Sequence, residues 1–280
     1  MIPPITEKES TLLREYVERV CGIRLDKAKE YLLETRLSHL VAEYEFASFG
    51  ELHHNAVNSP DVQLRDRIID AMTTNETSWF RDESAWRFLR EHAAPALLDQ
   101  IQRNEHPRVW SSAASTGQEA YSFVILLLEI AEQRGMRIKP DQIRVLGTDI
   151  SQSALFQAIA GRYDVFAMAR GMPNDLQSKY FTVSGRMWEI ADDIKAFVTF
   201  RKFNLQDPFT GIGGPFDLVL SRNVAIYFSE KFRRELFEKT TTVMKEDAVL
   251  LLGATESLRG YTESYEIREH KGCAYNMLRT

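Results

Sequence analysis

Positions 111 to 119 read Ser111-Ser112-Ala113-Ala114-Ser115-Thr116-Gly117-Gln118-Glu119, a run of small residues that ends on a carboxylate. Small side chains let a ligand come close to the backbone and to the N-terminus of a following helix. The run holds one glycine, so it is neither the GxGxxG turn of dinucleotide sites nor a Walker A loop. An ordinary tight strand-to-helix turn has the same composition. Further on, Gly147-Thr148-Asp149-Ile150 sets a carboxylate where nucleoside-binding sheets hold the ribose hydroxyls, or where a helix takes its N-cap. Phe203-Asn204-Leu205 and Ser221-Arg222-Asn223-Val224 add amides and a guanidinium. Asparagine both donates and accepts, which suits a purine edge, a ribose or an amino-acid zwitterion, and it equally suits a turn. A small-residue loop followed by a ribose-type Asp, without phosphate-binding glycines, fits a nucleoside ligand that lacks a polyphosphate. S-adenosylmethionine has that chemistry.

These residues need a frame, and the apolar pattern supplies one. From about residue 105 onward short runs rich in Val, Ile, Leu and Phe alternate with helical stretches, as in a parallel sheet built from βαβ units. Strands are predicted at 108–111, 143–148, 216–220 and 249–253, with helices at 118–134, 151–160 and 230–243. The quoted residues then follow the carboxyl ends of the strands, where open α/β sheets bind ligands. The stretch 162–203 breaks the rhythm; 187–190 and 197–200 read as short strands of a small β insertion after a Ser184-Gly185 turn. Lys271-Gly272 sits between two β-rich pieces, consistent with an antiparallel hairpin closing the sheet. Ahead of the sheet the chain reads as helical. Leu12, Leu13, Tyr16, Val17 and Val20 share one helix face, Leu32, Leu33, Leu37, Leu40 and Val41 a second after an Asp26 N-cap, and Leu64, Ile68, Ile69 and Met72 a third. Asn58-Ser59-Pro60-Asp61 is expected to start that last helix. The expected division is a helical domain over 1–74, a linker and first helix over 75–105, and the sheet domain over 106–280.

Composition narrows the classes. At 280 residues, 44% hydrophobic and 27% charged, the chain has the make-up of a globular protein able to bury a core without staples. Its two cysteines, Cys21 and Cys273, are far apart, which argues against a disulfide scaffold or a zinc module. The histidines show no ligand spacing, so no metal is expected. A net charge of -5 offers no global basic field for nucleic acid. The opening residues show no secretory pattern and no apolar run reaches membrane-spanning length, so a cytoplasmic protein without membrane insertion is expected.

Four ordered blocks carry a closer likeness. Thr73-Thr74-Asn75-Glu76-Thr77-Ser78-Trp79-Phe80-Arg81, the block 110–122, Thr148-Asp149-Ile150, and Ser221-Arg222-Asn223-Val224-Ala225-Ile226-Tyr227-Phe228 resemble the CheR family of chemotaxis receptor methyltransferases. The resemblance implies an S-adenosylmethionine-dependent methyltransferase (Rossmann-like) sheet preceded by a small all-α N-terminal domain. It implies methyl transfer to glutamate side chains in the cytoplasmic helical domain of methyl-accepting chemotaxis receptors, by an enzyme expected to be a monomer. On this likeness Asn75, Thr77 and Arg81 would contact the cofactor from the linker, Glu119 and Asp149 would hold its amino-acid end and ribose, and Asn204, Leu205, Asn223 and Val224 would line the adenine and the pocket floor. Arg81 could bind a carboxylate bidentately, or pair on the surface with Asp82 or Glu83. Tyr227 would be a wall or donor near the transferred methyl, or a core tyrosine. Lys29 and Arg36 could steer an acidic receptor helix, or form a solvated face balanced by Glu30 and Glu34.

The sequence departs from the family's usual pattern at Gln118, Ala120 and Ser221, and reads Gly253-Ala254-Thr255-Glu256 where many members have GHSE. The short hairpin around Ser184-Gly185-Arg186 points to action independent of a receptor tether. Three other readings stay open: a nucleic-acid methyltransferase, for which Asp207-Pro208-Phe209 lacks the second proline of the usual motif; a non-catalytic S-adenosylmethionine sensor; and an NAD-dependent dehydrogenase, against which the missing glycines count.

Overall fold

Thr6 opens α1 (Glu7–Cys21) with a reciprocal cap: its hydroxyl accepts the Glu9 N–H, and the Glu9 carboxylate accepts the Thr6 N–H. In the computed structural model, which describes residues 3–58 and 62–279, four helices form the N-terminal layer. They are α1, α2 (Tyr31–Glu43), α3 (Phe49–Asn58) and α4 (Val62–Met72). Leu13, Tyr16 and Val17 meet Leu33, Leu37, Leu40, Val41, Ile68, Ile69 and Met72 in a core of their own. Asp26 makes no side-chain cap; it precedes a single 3-10 turn, Lys27–Lys29, and α2 begins at Tyr31. The expected Ser59-Pro60-Asp61 helix start lies outside the described residues. Helix α3 had no counterpart among the expected elements, since it buries only Phe49 and Leu52 and carries the polar run His53-His54-Asn55.

After the linker, α5 (Glu83–Phe88), a π-helical turn and α6 (Ala94–Gln102) lead to the sheet. The chain then runs β1 (Arg108–Ser111), α7 (Gln118–Gln133), β2 (Arg144–Asp149), α8 (Gln152–Ala160), β3 (Arg162–Asp164), α9 (Val165–Ala169), α10 (Asn174–Tyr180), β4 (Phe181–Ser184), β5 (Met187–Ile190), α11 (Asp192–Lys195), β6 (Val198–Lys202), β7 (Phe216–Ser221), α12 (Glu230–Thr241), β8 (Met244–Leu252), β9 (Tyr265–His270) and β10 (Cys273–Leu278).

The large sheet has the order β6-β2-β1-β7-β8-β10-β9. Its first five strands are parallel, and the β9–β10 hairpin joins antiparallel to β8. β7 is buried throughout and β8 from Ala248 to Leu252, as strand segments covered on both faces must be. One face packs against α7 and α6, the other against α12, so two apolar clusters sandwich the sheet. The chain leaves β1 toward β2 and β6, then returns to β7 on the other side of β1. This switch in strand order opens a crevice at the carboxyl ends of β1 and β7.

The small sheet has the order β3-β5-β4. The expected insertion also took in 197–200, and the structure corrects this. Val198 to Lys202 pair with Val145 to Asp149 at the edge of the large sheet, because the short α11 turns the chain back alongside β2.

Candidate active site

The carboxyl ends of the parallel strands, the linker 73–81 and Ile23 from the N-terminal domain enclose a cleft of about 910 Å³, partly open to solvent. The linker is held in place by Trp79, whose buried ring meets Tyr163 and Phe181 edge-on and whose backbone N–H donates to the Arg170 carbonyl at 3.0 Å. Gly171, at φ +95°, lets this backbone pass, since a Cβ there would collide with the Trp79 carbonyl. Thus Asn75, Thr77 and Arg81 reach the cleft wall.

The small-residue loop is laced to both neighbouring strands. Ser112 N–H donates to Leu220 O at 2.9 Å, and Ala114 N–H to Thr148 O at 2.8 Å. Asp149 is 9% exposed; its two oxygens accept the N–H groups of Ser115 at 2.7 Å and Ser151 at 2.9 Å. Burial raises its pKa above the ordinary carboxyl value, and those N–H groups oppose the rise. With the Ile150 N–H a third backbone donor to this carboxylate, which has about four lone-pair sites, acceptor capacity remains for a ligand hydroxyl. Glu119 accepts from Ser111 Oγ at 2.7 Å and from Arg222 Nη1 at 3.0 Å.

Arg222, 6% exposed, is the electrostatic centre of the cleft's inner end. Besides Glu119 it faces Asp82 at 3.6 Å and donates to the Arg81 carbonyl at 2.5 Å. A buried guanidinium flanked by two carboxylates is stabilised only while both remain. By taking up Asp82 it leaves Arg81 free of that partner, and Glu83 pairs with Arg87 instead. Among the described residues no carboxylate pairs with Arg81; its Nη1 donates to the Glu76 carbonyl at 3.2 Å. Tyr227 is half-buried on a 3-10 turn, lines the cleft, and its hydroxyl has no hydrogen-bond partner among the described residues.

Three orphaned buried groups border the same cleft: Ser112 Oγ, Trp86 Nε1 and Arg222 Nε. Buried polar atoms without partners are rare in native proteins and are expected where a polar ligand completes them. Four of the seven non-glycine residues with positive φ among the described residues, Phe80, Asp82, Ser115 and Asn223, also adjoin it. Such strain gathers where a site is built. The donors, the carboxylates and the apolar Ile23, Ile150, Phe203 and Leu205 fit a nucleoside joined to an amino acid.

Comparison with known proteins follows this division of the chain. Residues 75–273 match the family model described as CheR methyltransferase, SAM binding domain, and residues 8–73 match CheR methyltransferase, all-alpha domain. This chain belongs to the CheR family. A chemotaxis protein methyltransferase of Vibrio parahaemolyticus is 37% identical over 277 residues, 98% of each chain. Chemotaxis protein methyltransferase 1 of Pseudomonas aeruginosa is 35% identical over 257 residues, covering 91% of this chain and 92% of the other. A chemotaxis protein methyltransferase of Borreliella burgdorferi is 34% identical over 260 residues, 91% of this chain and 90% of the other.

The cofactor of this CheR protein is S-adenosylmethionine, and its activity is methyl transfer. The cleft brings together Asn75, Thr77, Arg81, Glu119, Asp149, Leu205, Asn223, Val224 and Tyr227. Asn204 lies outside it. The turn after β6 directs its Nδ2 to the Val20 carbonyl at 2.8 Å, while its Oδ1 accepts the Gln206 N–H, so the side chain joins the two domains. Arg36 is likewise occupied: it donates to the Met72 and Thr73 carbonyls at 2.8 and 3.2 Å and to Thr74 Oγ1, which fixes the end of α4 onto the linker. These neutral acceptors hold the guanidinium in place beside the linker. Lys29 is exposed and stands outside the cleft. Glu30, offered as its balancing charge, pairs with Arg14.

Trp86 and Ile23 also line the cleft and were not foreseen. Trp86 sits in α5 with no motif around it, and Ile23 arrives by an antiparallel bridge to Phe228 across the domain junction. Neither contact leaves a local spacing to read.

Proposed function

We propose that this CheR protein transfers the methyl group of S-adenosylmethionine to glutamate side chains in the cytoplasmic helical domain of chemotaxis receptors, giving methyl esters. Bound cofactor supplies an electrophilic methyl on a sulfonium. Arg81 supports the reading most directly: it is a cation at the cleft wall with no carboxylate paired to it, suited to bind an incoming carboxylate. Glutamate, with an ordinary pKa of about 4.3, is already ionised at neutral pH and needs no general base. The lining residues fit that economy, for the cleft wall contains no histidine, cysteine or lysine among the described residues. The chain's task is then orientation and exclusion of water. Asp149 and Glu119 hold the cofactor's polar groups, Leu205 and Val224 pack on its base, Arg81 holds the attacking carboxylate, and the Tyr227 hydroxyl donates beside it. Exposed Lys29 steers the acidic substrate helix from outside. The short turn between β4 and β5 supports action without a receptor tether, by a cytoplasmic monomer. Mass spectrometry of a receptor helical fragment incubated with enzyme and cofactor tests the reading. A mass gain of one methylene should map to glutamate and vanish when that glutamate is changed to glutamine; a gain at lysine or on nucleic acid would refute it.

A further inference from the structure

The loop after β7 brings Asn223, Val224 and Tyr227 to the cleft, yet Asn223 sits at φ +57° and the next turn is a single 3-10 step. Two backbone turns, Tyr227 N–H to the Val224 carbonyl and Phe228 N–H to the Ala225 carbonyl, close its far end, where Arg233 also holds the Ile226 and Phe228 carbonyls. The N–H groups at its start are held by a carboxylate from the neighbouring loop. Glu256 follows β8, the strand parallel to β7. Its Oε2 accepts the N–H groups of Asn223 at 2.6 Å and Gly253 at 2.8 Å, and its Oε1 accepts those of Val224 at 3.1 Å and Ile226 at 3.3 Å. Among the described residues no basic side chain pairs with Glu256, so these four backbone donors are the groups that meet its charge. Charge-assisted bonds of this kind are about twice as strong as neutral ones. The junction is also sterically tight. A Cβ at Gly253 would lie 2.7 Å from Asn223 Nδ2 and 2.8 Å from Glu256 Oε2. Glu256 itself is not part of the cleft wall.

We propose that Glu256 is a positioning residue for methyl transfer: by holding four N–H groups of two adjacent loops, it sets the floor formed by Asn223 and Val224 and the placement of Tyr227. This rests on the reading that the cleft binds S-adenosylmethionine and transfers its methyl group. Glu256→Gln keeps the length of the side chain but puts a donor where one acceptor oxygen met two N–H groups. It should weaken S-adenosylhomocysteine binding about tenfold, measured by calorimetry on folded protein. It should also lower kcat with the KM for receptor fragment unchanged, and speed hydrogen exchange at Asn223 and Val224. Glu256→Asp retains the charge but is too short to reach both loops, and should fall in the same direction. Gly253→Ala keeps the carboxylate and crowds the same junction. Should Glu256→Gln fail to fold, Gly253→Ala carries the test and should likewise weaken binding. A Glu256→Gln protein that melts earlier but binds S-adenosylhomocysteine and turns over like wild type would overturn the proposal, as would wild-type affinity in folded Gly253→Ala. Wild-type protein that binds the ligand yet methylates no glutamate would refute the substrate assignment alone, leaving Glu256 to be judged by its effect on binding.

Discussion

Asp149 shows how one residue type acquires a task from its surroundings. Its oxygens are fixed by the Ser115 and Ser151 N–H groups, which leaves the remaining lone pairs aimed without freedom to turn. Hydrogen bonds to charged groups contribute about 1.5–3 kcal/mol. Asp149→Ala should therefore weaken S-adenosylmethionine binding by roughly 10- to 100-fold in calorimetry, while Lys29→Ala, altered outside the cleft, should leave it unchanged; equal affinity in both would remove Asp149 from the site. The cysteines illustrate the converse. Burial pushes the Cys21 thiol up to about 12, so at pH 8 only about one molecule in ten thousand carries the thiolate. Cys273 is raised for the same reason. Neither should react with an aromatic disulfide reagent at pH 8 until denaturant is added, and rapid labelling of folded protein would contradict that. Asp149 and Asn223 were picked out because they follow predicted strands, and Glu119 through the family likeness; all three line the cleft. Asn204 has the same type and position, but one turn of backbone points it at Val20, and side-chain direction after a strand has no local signal.

At the scale of elements, strands with both faces covered were easiest to read, because their apolar runs are continuous. β1 was expected over 108–111 and is found there; β7 extends its expected 216–220 by one residue. β6 was found but attached to the wrong sheet, since pairing partners depend on the turn made by α11 and not on the strand's own residues. Helix α3 escaped because its buried positions are too few to show a period. The register of the sheet has an anchor away from the cleft. Asp217, buried on β7, accepts the Arg108 N–H at 2.8 Å and the Lys245 ammonium at 2.6 Å, tying β7 to β1 and β8. Asp217→Ala leaves two donors without an acceptor and should lower unfolding free energy by about 2 kcal/mol in urea titration. Cofactor affinity should stay at the wild-type value, since the anchor stands at the opposite end of the strands; a parallel loss of affinity would contradict this separation.

Across the whole molecule, the two domains share the cleft instead of flanking it. Arg24 N–H donates to the Tyr227 carbonyl at 2.9 Å, Gln206 Nε2 to Glu18 O at 3.1 Å, and Lys202 pairs with Asp66 at 2.5 Å, while Ile23 completes the wall. S-adenosylhomocysteine should therefore slow hydrogen exchange at Arg24 together with Asn223 and Val224; protection confined to the sheet domain would separate the N-terminal helices from the site. On the proposed function, the chain as a whole holds an ionised glutamate against a methyl donor in a shielded cleft. The most direct test uses methyl-labelled S-adenosylmethionine and a chemotaxis receptor, followed by mild alkali and collection of volatile label. Methyl esters hydrolyse to methanol under these conditions, whereas N-methyl groups do not. Volatile label from the receptor, lost in Arg81→Ala, is the predicted result. Label that stays on the receptor after alkali, or none at all from protein that binds the cofactor, would contradict it.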